Sequence, residues 1–244
     1  MKPTIVLEHG AYADASSWNA VIPRLLAAGH RVVAHANPLR GIARDAAALS
    51  DLVRTLDGPV LLAGHSYGGA VITNVAGDAG EIAGLVYVAG FALEAGERVT
   101  DAMALAPGAT LNDTLERVPL AGGAVDTSIA RDRYHRQFAA DLPAHEAALL
   151  AVGQRPLAEA AMSEPSGEDP LWRSVPSWFV FGELDRSISA GALRIMAGRA
   201  GARRTLEVAG ASHAVLISHA AETAGMILEA ARERLTPLRL AGRG

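Results

Sequence analysis

The sequence predicts a doubly wound α/β fold: a mainly parallel sheet of about six strands covered by helices, with a helical cap insertion in the second half of the chain. Three observations carry this. Short, near-continuous apolar runs recur at Thr4-Ile5-Val6-Leu7, Val60-Leu61-Leu62-Ala63, Leu85-Val86-Tyr87-Val88 and Trp178-Phe179-Val180-Phe181, the pattern of strands buried on both faces. Stretches with helical spacing separate them, so strand and helix alternate. The interval from Phe91 to Pro176 is too long for an ordinary connection and carries helical patterns of its own.

Taken in order, the first strand stops at Glu8-His9-Gly10-Ala11, where glycine lets the backbone leave the sheet. Asp14, Ser16 and Ser17 offer cap oxygens ahead of Trp18, and Val21, Leu25 and Leu26 form an apolar stripe that Pro23 should kink, ended by Gly29. Arg31-Val32-Val33-Ala34 is a second strand, followed by a helix over 43–56 and the stop Asp57-Gly58-Pro59. Thr205-Leu206-Glu207-Val208 is the last strand, with helices over 192–200 and 220–235 filling the final crossovers and a frayed tail over 237–244. Residues 1–90 and 177–244 then form the core domain and 91–176 the cap, with short helices over 131–140, 144–152 and 156–162. Tyr67, Phe138, Leu149, Leu150 and Met162 are the candidates to line a substrate cavity under that cap.

A chain of 244 residues, half of them hydrophobic, can bury roughly 70–75% of its unfolded surface and needs no staple. The absence of cysteine removes disulfides, thiolate zinc sites and thiol nucleophiles. A formal charge of −4 with acids and bases interspersed offers no stripe for nucleic acid and no polybasic membrane anchor. No apolar run approaches the ~18 residues of a membrane span. Met1-Lys2-Pro3 leads directly into a strand. The expected setting is therefore the cytoplasm and the expected partner a small molecule, with a homodimer allowed.

The chemistry is concentrated at Gly64-His65-Ser66-Tyr67-Gly68-Gly69, a Gly-x-Ser-x-Gly that follows an apolar strand and turns at once into a helical pattern. A serine at the tip of so tight a strand-to-helix turn sits in a strained conformation costing roughly 1–3 kcal/mol. Strand and helix nearly touch there, so Gly64 and Gly68 answer a steric need. A serine hydroxyl is a weak nucleophile without a histidine base oriented by a carboxylate. Both follow in chain order: Gly182-Glu183-Leu184-Asp185 after the fifth strand and Gly210-Ala211-Ser212-His213 after the sixth. Ser66 is the expected nucleophile, Asp185 the orienting acid with Glu183 as its competitor, and His213 the base. The N–H groups of Ala11 and Tyr67 are the expected oxyanion donors. His9 and His65 flank the site as hydrogen-bonded loop structure, and His219 reads as a helix-face residue. His145-Glu146 lacks the second histidine of a zinc helix, so no metal and no cofactor are expected.

His9-Gly10-Ala11 with Ser17-Trp18, the Gly64–Gly69 motif, Gly182-Glu183-Leu184-Asp185 and Ser212-His213 together resemble the α/β-hydrolase superfamily. Within it they are most similar to small bacterial esterase-like members near plant methyl-ester esterases and hydroxynitrile lyases. The resemblance implies the same fold over the whole chain, without the usual first two strands, and the cap at 91–176. It also implies cleavage of a carboxylic ester through an acyl-serine, and the apolar set Phe138, Leu149, Leu150 and Met162, with no basic cluster in an active-site loop, makes the expected ester small and largely apolar. The same scaffold serves hydroxynitrile lyases, cofactor-free oxygenases, perhydrolases and non-catalytic ligand receptors. The lyases carry threonine, glutamate and lysine where this chain has Gly10, His65 and Ala214. Glu8 is a further departure, since such relatives place an apolar residue at the end of that strand.

Overall fold

The computed structural model describes residues 1–233. Nine strands occur among them: β1 (Thr4–Glu8), β2 (Val32–His35), β3 (Val60–His65), β4 (Ile82–Val88), β5 (Leu115–Pro119), β6 (Val125–Ile129), β7 (Leu157–Ala158), β8 (Ser177–Gly182) and β9 (Arg204–Val208). Six of them form one sheet in the order β2-β1-β3-β4-β8-β9, parallel throughout. β1 and β3 are buried along their whole length, as is β8, which explains their unbroken apolar sequences. β2 and β9 are the edges; the arginine, threonine and glutamate of β9 face solvent or its margin.

Chain order places β2 on one side of β1 and β3 on the other. The carboxyl ends of β1 and β3 therefore flank the point where the winding reverses, the crevice in which open α/β sheets bind ligands. Helix Tyr67–Thr73 packs on β1, β3 and β4 and against helix Ile42–Arg54, and helix Ala220–Glu233 packs on β3, β4 and β8. Pro23 does not kink a helix. It lies in the first turn of helix Ile22–Ala27, where its missing N–H is not needed, and a separate 3₁₀ turn, Ala15–Trp18, precedes it with Asp14 accepting the Ser16 N–H at 2.8 Å. The helices expected over 43–56 and 192–200 are Ile42–Arg54 and Ala190–Arg199. The expected tail at 237–244 and the last residues of the final helix lie outside the described residues.

The segment between β4 and β8 is not purely helical. It contains helices Val99–Met103, Arg131–Phe138 and Ala144–Gly153, but also an antiparallel sheet ordered β5-β6-β7. The helix expected over 156–162 is in fact β7 followed by the 3₁₀ turn Glu159–Met162. Side chains stitch this segment to the core. Arg40 reaches Asp126 at 2.6 Å, Ala158 donates to the Leu39 carbonyl at 3.0 Å, and Glu164 accepts the first N–H groups of helix Ile42–Arg54 at 2.7 and 3.1 Å. That last contact satisfies orphan donors and sets a negative charge on the positive end of the helix. No helix among the described residues is long and apolar enough to cross a membrane.

Candidate active site

Ser66 stands between β3 and the helix behind it at φ 52°, ψ −121°, a conformation in which an L side chain is strained. Three backbone bonds hold it: its N–H donates to Val88 O at 3.1 Å, and its carbonyl accepts from Gly69 at 2.8 Å and Phe91 at 3.1 Å. The close approach is real. A Cβ on Gly64 would stand 2.5 Å from the Gly68 carbonyl oxygen, and one on Gly68 2.5 Å from that of Glu8. On the facing loop, a Cβ on Gly10 would lie 2.7 Å from Ser66 Cβ, which brings the Ala11 peptide beside the nucleophile. Neither the Ala11 nor the Tyr67 N–H makes a hydrogen bond to a described residue, so both are free to meet an anion.

His213 is completely buried, and its Nδ1 donates to Asp185 Oδ2 at 2.7 Å. That bond fixes the tautomer with the lone pair on Nε2. Asp185 is also buried, and its Oδ1 accepts the N–H groups of Ser187 and Ile188 at 2.8 and 2.9 Å. The imidazole is wedged between two rings, His65 at 4.8 Å and the edge-on Phe138 at 4.8 Å. Nε2 has no hydrogen-bond partner among the described residues, so it is not bonded to Ser66 here; such bonds commonly tighten only with substrate present. Glu183, the competing acid, is exposed and accepts the Gly210 N–H at 3.0 Å.

The flanking histidines are locked. His65 Nε2 donates to the His213 carbonyl at 3.1 Å, and burial, with the neighbouring His213, holds it well below the usual histidine range. His9 donates from Nδ1 to the Gly10 carbonyl and accepts the Asn37 N–H at Nε2, at 2.9 and 3.0 Å, and burial lowers it to about 4. Both imidazoles are therefore neutral parts of the framework.

Of the side chains expected to line a cavity, Phe138 lies against His213, and its carbonyl accepts the Ala214 N–H at 3.0 Å. Tyr67 points elsewhere: its hydroxyl donates to Asp45 at 2.9 Å, and the ring is buried. Leu149 contradicts the expectation outright, being 72% exposed on the outer side of helix Ala144–Gly153. Met162 is buried in the turn that packs on β6 and on helix Val99–Met103. A cleft of about 580 Å³ has Thr110, Arg136, Gln137 and Arg186 in its wall but none of Ser66, Asp185 and His213. Ser66 itself is 8% exposed, so the site is nearly closed.

Sequence reasoning missed Tyr12, which adopts φ 59° and ties the oxyanion loop to the insertion. Its N–H donates to Arg155 O at 3.1 Å, its carbonyl accepts the Tyr134 hydroxyl at 3.0 Å, and its own hydroxyl lies 3.1 Å from Thr127 Oγ1. No local pattern announces such a residue, because all three partners lie more than a hundred positions away.

A serine on a strained strand-to-helix elbow, with a buried carboxylate–imidazole pair carried by the segments that follow β8 and β9 of the same parallel sheet, defines a class of nucleophile-elbow α/β proteins. The chain belongs to the alpha/beta hydrolase family, whose model matches residues 5–226. No curated protein matches it. Among solved structures it is similar to polyneuridine aldehyde esterase (TM-score 0.78, 18% identity, covering 94% of this chain and 99% of the other). Tomato methylketone synthase I bound to 2-tridecanone gives TM-score 0.78 at 18% identity over 96% and 99% of the two chains. A pyrethroid hydrolase from Sphingobium faniae gives 0.73 at 21% over 94% and 97%.

Proposed function

We propose that this protein is a serine hydrolase that cleaves a small, largely apolar carboxylic ester through an acyl-serine intermediate. One observation carries the reading: His213 has Nδ1 committed to Asp185 and its ring packed against Phe138 and against His65, the residue before the strained Ser66, which leaves Nε2 as its one nitrogen without a partner. In the reaction, His213 Nε2 takes the Ser66 proton as Oγ attacks the ester carbonyl, and Asp185 stabilises the imidazolium. The carbonyl oxygen, now an oxyanion, is met by the Ala11 and Tyr67 N–H groups. Each such donor contributes roughly 3–4 kcal/mol to the transition state. Collapse returns the proton from His213 to the leaving alcohol, and water repeats the sequence on the acyl-serine.

The fold is shared with proteins named as an esterase and as a pyrethroid hydrolase, which agrees with this reaction class. A lyase would need a cation beside its leaving group, and the residue after the base is the buried, uncharged Ala214. The test is intact-mass analysis after treatment with a serine-directed phosphonate, with a panel of esters of graded acyl length and a cyanide-release assay on mandelonitrile run alongside. A single adduct that Ser66→Ala abolishes, with turnover of short or aromatic acyl esters in preference to charged ones, is the expected result. Rapid cyanide release without an adduct would overturn it.

A further inference from the structure

The mechanism above gives Glu8 no part, yet this residue is fully buried at the end of β1. One carboxyl oxygen lies 2.8 Å from His35 Nδ1, at the facing position of β2, and the other has no hydrogen-bond partner among the described residues. A half-satisfied acid in a strand otherwise made of apolar side chains and a threonine is unfavourable. Its surroundings tie it to both oxyanion donors.

On the side of Ala11, the Glu8–His35 contact is the first of two cross-links that carry the β1–β2 pairing past the end of its register. The second is reciprocal: the Asn37 N–H donates to His9 Nε2 at 3.0 Å, and Asn37 Nδ2 donates to the His9 carbonyl at 2.9 Å. Together they clamp the strand end from which the Gly10-Ala11 loop departs. On the side of Tyr67, the buried Asp45 accepts the Tyr67 hydroxyl at 2.9 Å and the backbone N–H groups of Arg40 and Gly41. The charge of Asp45 is felt at Glu8, and the Glu8 carbonyl lies against Gly68, the residue after Tyr67.

We propose that Glu8 is a positioning residue of the oxyanion hole: with its carboxyl bonded to His35 and its backbone carbonyl against Gly68, it holds the strand end from which the Ala11 loop leaves and against which the Tyr67 helix packs, and its charge acts on the two N–H donors held there. This rests on the hydrolase reading of Ser66. The charged and titratable groups around Glu8 are His9 on its own strand end, His35 on β2, Asp45 on helix Ile42–Arg54 and Tyr67 on the nucleophile helix, with Glu164 of the insertion felt by Asp45 and Tyr67. β3 presents only Gly64 at the facing position. Burial, against the opposing pull of His35, pushes Glu8 up to about 7. Burial alone would lower His35, but the bond and charge of Glu8 raise it. As pH rises the pair therefore passes from one positive charge to none, and then to one negative charge beside Asp45. A negative charge there opposes the oxyanion forming on the other side of the loop.

The test is kcat and KM for p-nitrophenyl acetate between about pH 5 and pH 10, in the wild type, Glu8→Gln and His35→Gln, with Ser66 phosphonylation measured on each. The wild type should show an acid limb from His213 and an alkaline fall from the Glu8–His35 pair. Glu8→Gln, which cannot take up the negative charge, should keep the acid limb and lose the alkaline fall, with KM within about twofold of wild type. His35→Gln should displace the alkaline fall. An alkaline fall that survives in Glu8→Gln overturns the proposal. If Glu8→Gln does not fold, an unmoved profile in His35→Gln overturns it and a displaced one supports it. A wild type that labels at Ser66 and cleaves the ester, with a profile indifferent to Glu8, defeats this inference alone. A wild type that does neither defeats the hydrolase reading and this inference with it.

Discussion

Among the described residues, two buried carboxylates, Asp185 and Glu8, each hold an imidazole at the carboxyl edge of one sheet, and the two pairs are built almost alike. Asp185 accepts from His213 Nδ1 at 2.7 Å, and Glu8 lies 2.8 Å from His35 Nδ1. The difference lies in the atoms outside the contact. The second oxygen of Asp185 takes two backbone N–H groups from its own loop, whereas that of Glu8 has no partner among the described residues. His213 is fully buried between two rings, whereas the His35 side chain is 16% exposed. A carboxylate satisfied on both oxygens can serve a histidine that gains and loses a proton during turnover. One left half-satisfied holds its own proton instead.

Breaking the first pair should produce the largest effects. Ser66→Ala, His213→Ala and the double variant should each lower kcat by a similar factor, on the order of 10⁴–10⁶, because the residues act as one unit. Losses that multiply in the double variant would mean independent roles. Next in size, Asp185→Asn should lower kcat by roughly 10³–10⁴ because it disturbs the His213 tautomer. Glu183→Gln, whose carboxylate holds only the Gly210 N–H from an exposed position, should stay within about twofold. Steady-state kinetics on one ester settles the order, and the reverse order would move the acid to Glu183.

Most of the core is legible in the sequence because β1, β3, β4 and β8 are buried on both faces, so their residues had to be apolar without interruption. The elbow is legible for a steric reason, since the backbone of Gly68 occupies the place a Cβ on Gly64 would need. The small sheet of the insertion is harder to read. β5, with sequence LERVP, lies on the surface, and β6, VDTSI, buries only Thr127 and Ile129, so neither shows a run of apolar residues. One signal was present: Gly122 and Gly123, both at φ 86°, form the turn of the hairpin that joins them. Leu149 shows the opposite failure, since an apolar residue at helical spacing was taken for an inward one. Helix Ala144–Gly153 is rich in apolar residues all round, with only Ala147 and Ala151 of its ten residues buried, so spacing could not fix its inner face.

The smallest expected effect concerns the second pair and is read in stability. Burial raises the Glu8 carboxyl from its ordinary 4.5 to about 7. Between those values the folded protein holds a proton that the unfolded chain has released, so stability falls as pH rises through that window. The raised His35 works in the same sense, because its contribution is present at low pH and is lost as pH rises through its folded value. Glutamine cannot ionise, so Glu8→Gln escapes the first loss and also removes the charge that raised His35. Relative to wild type, the variant should therefore gain stability between about pH 5 and pH 8, by about 1–2 kcal/mol. Urea denaturation midpoints at the two pH values measure it, and any constant cost of the lost charge on His35 cancels in the difference. A gap between variant and wild type that does not change with pH would mean that Glu8 is ionised throughout. The contrast between the two pairs would then fail.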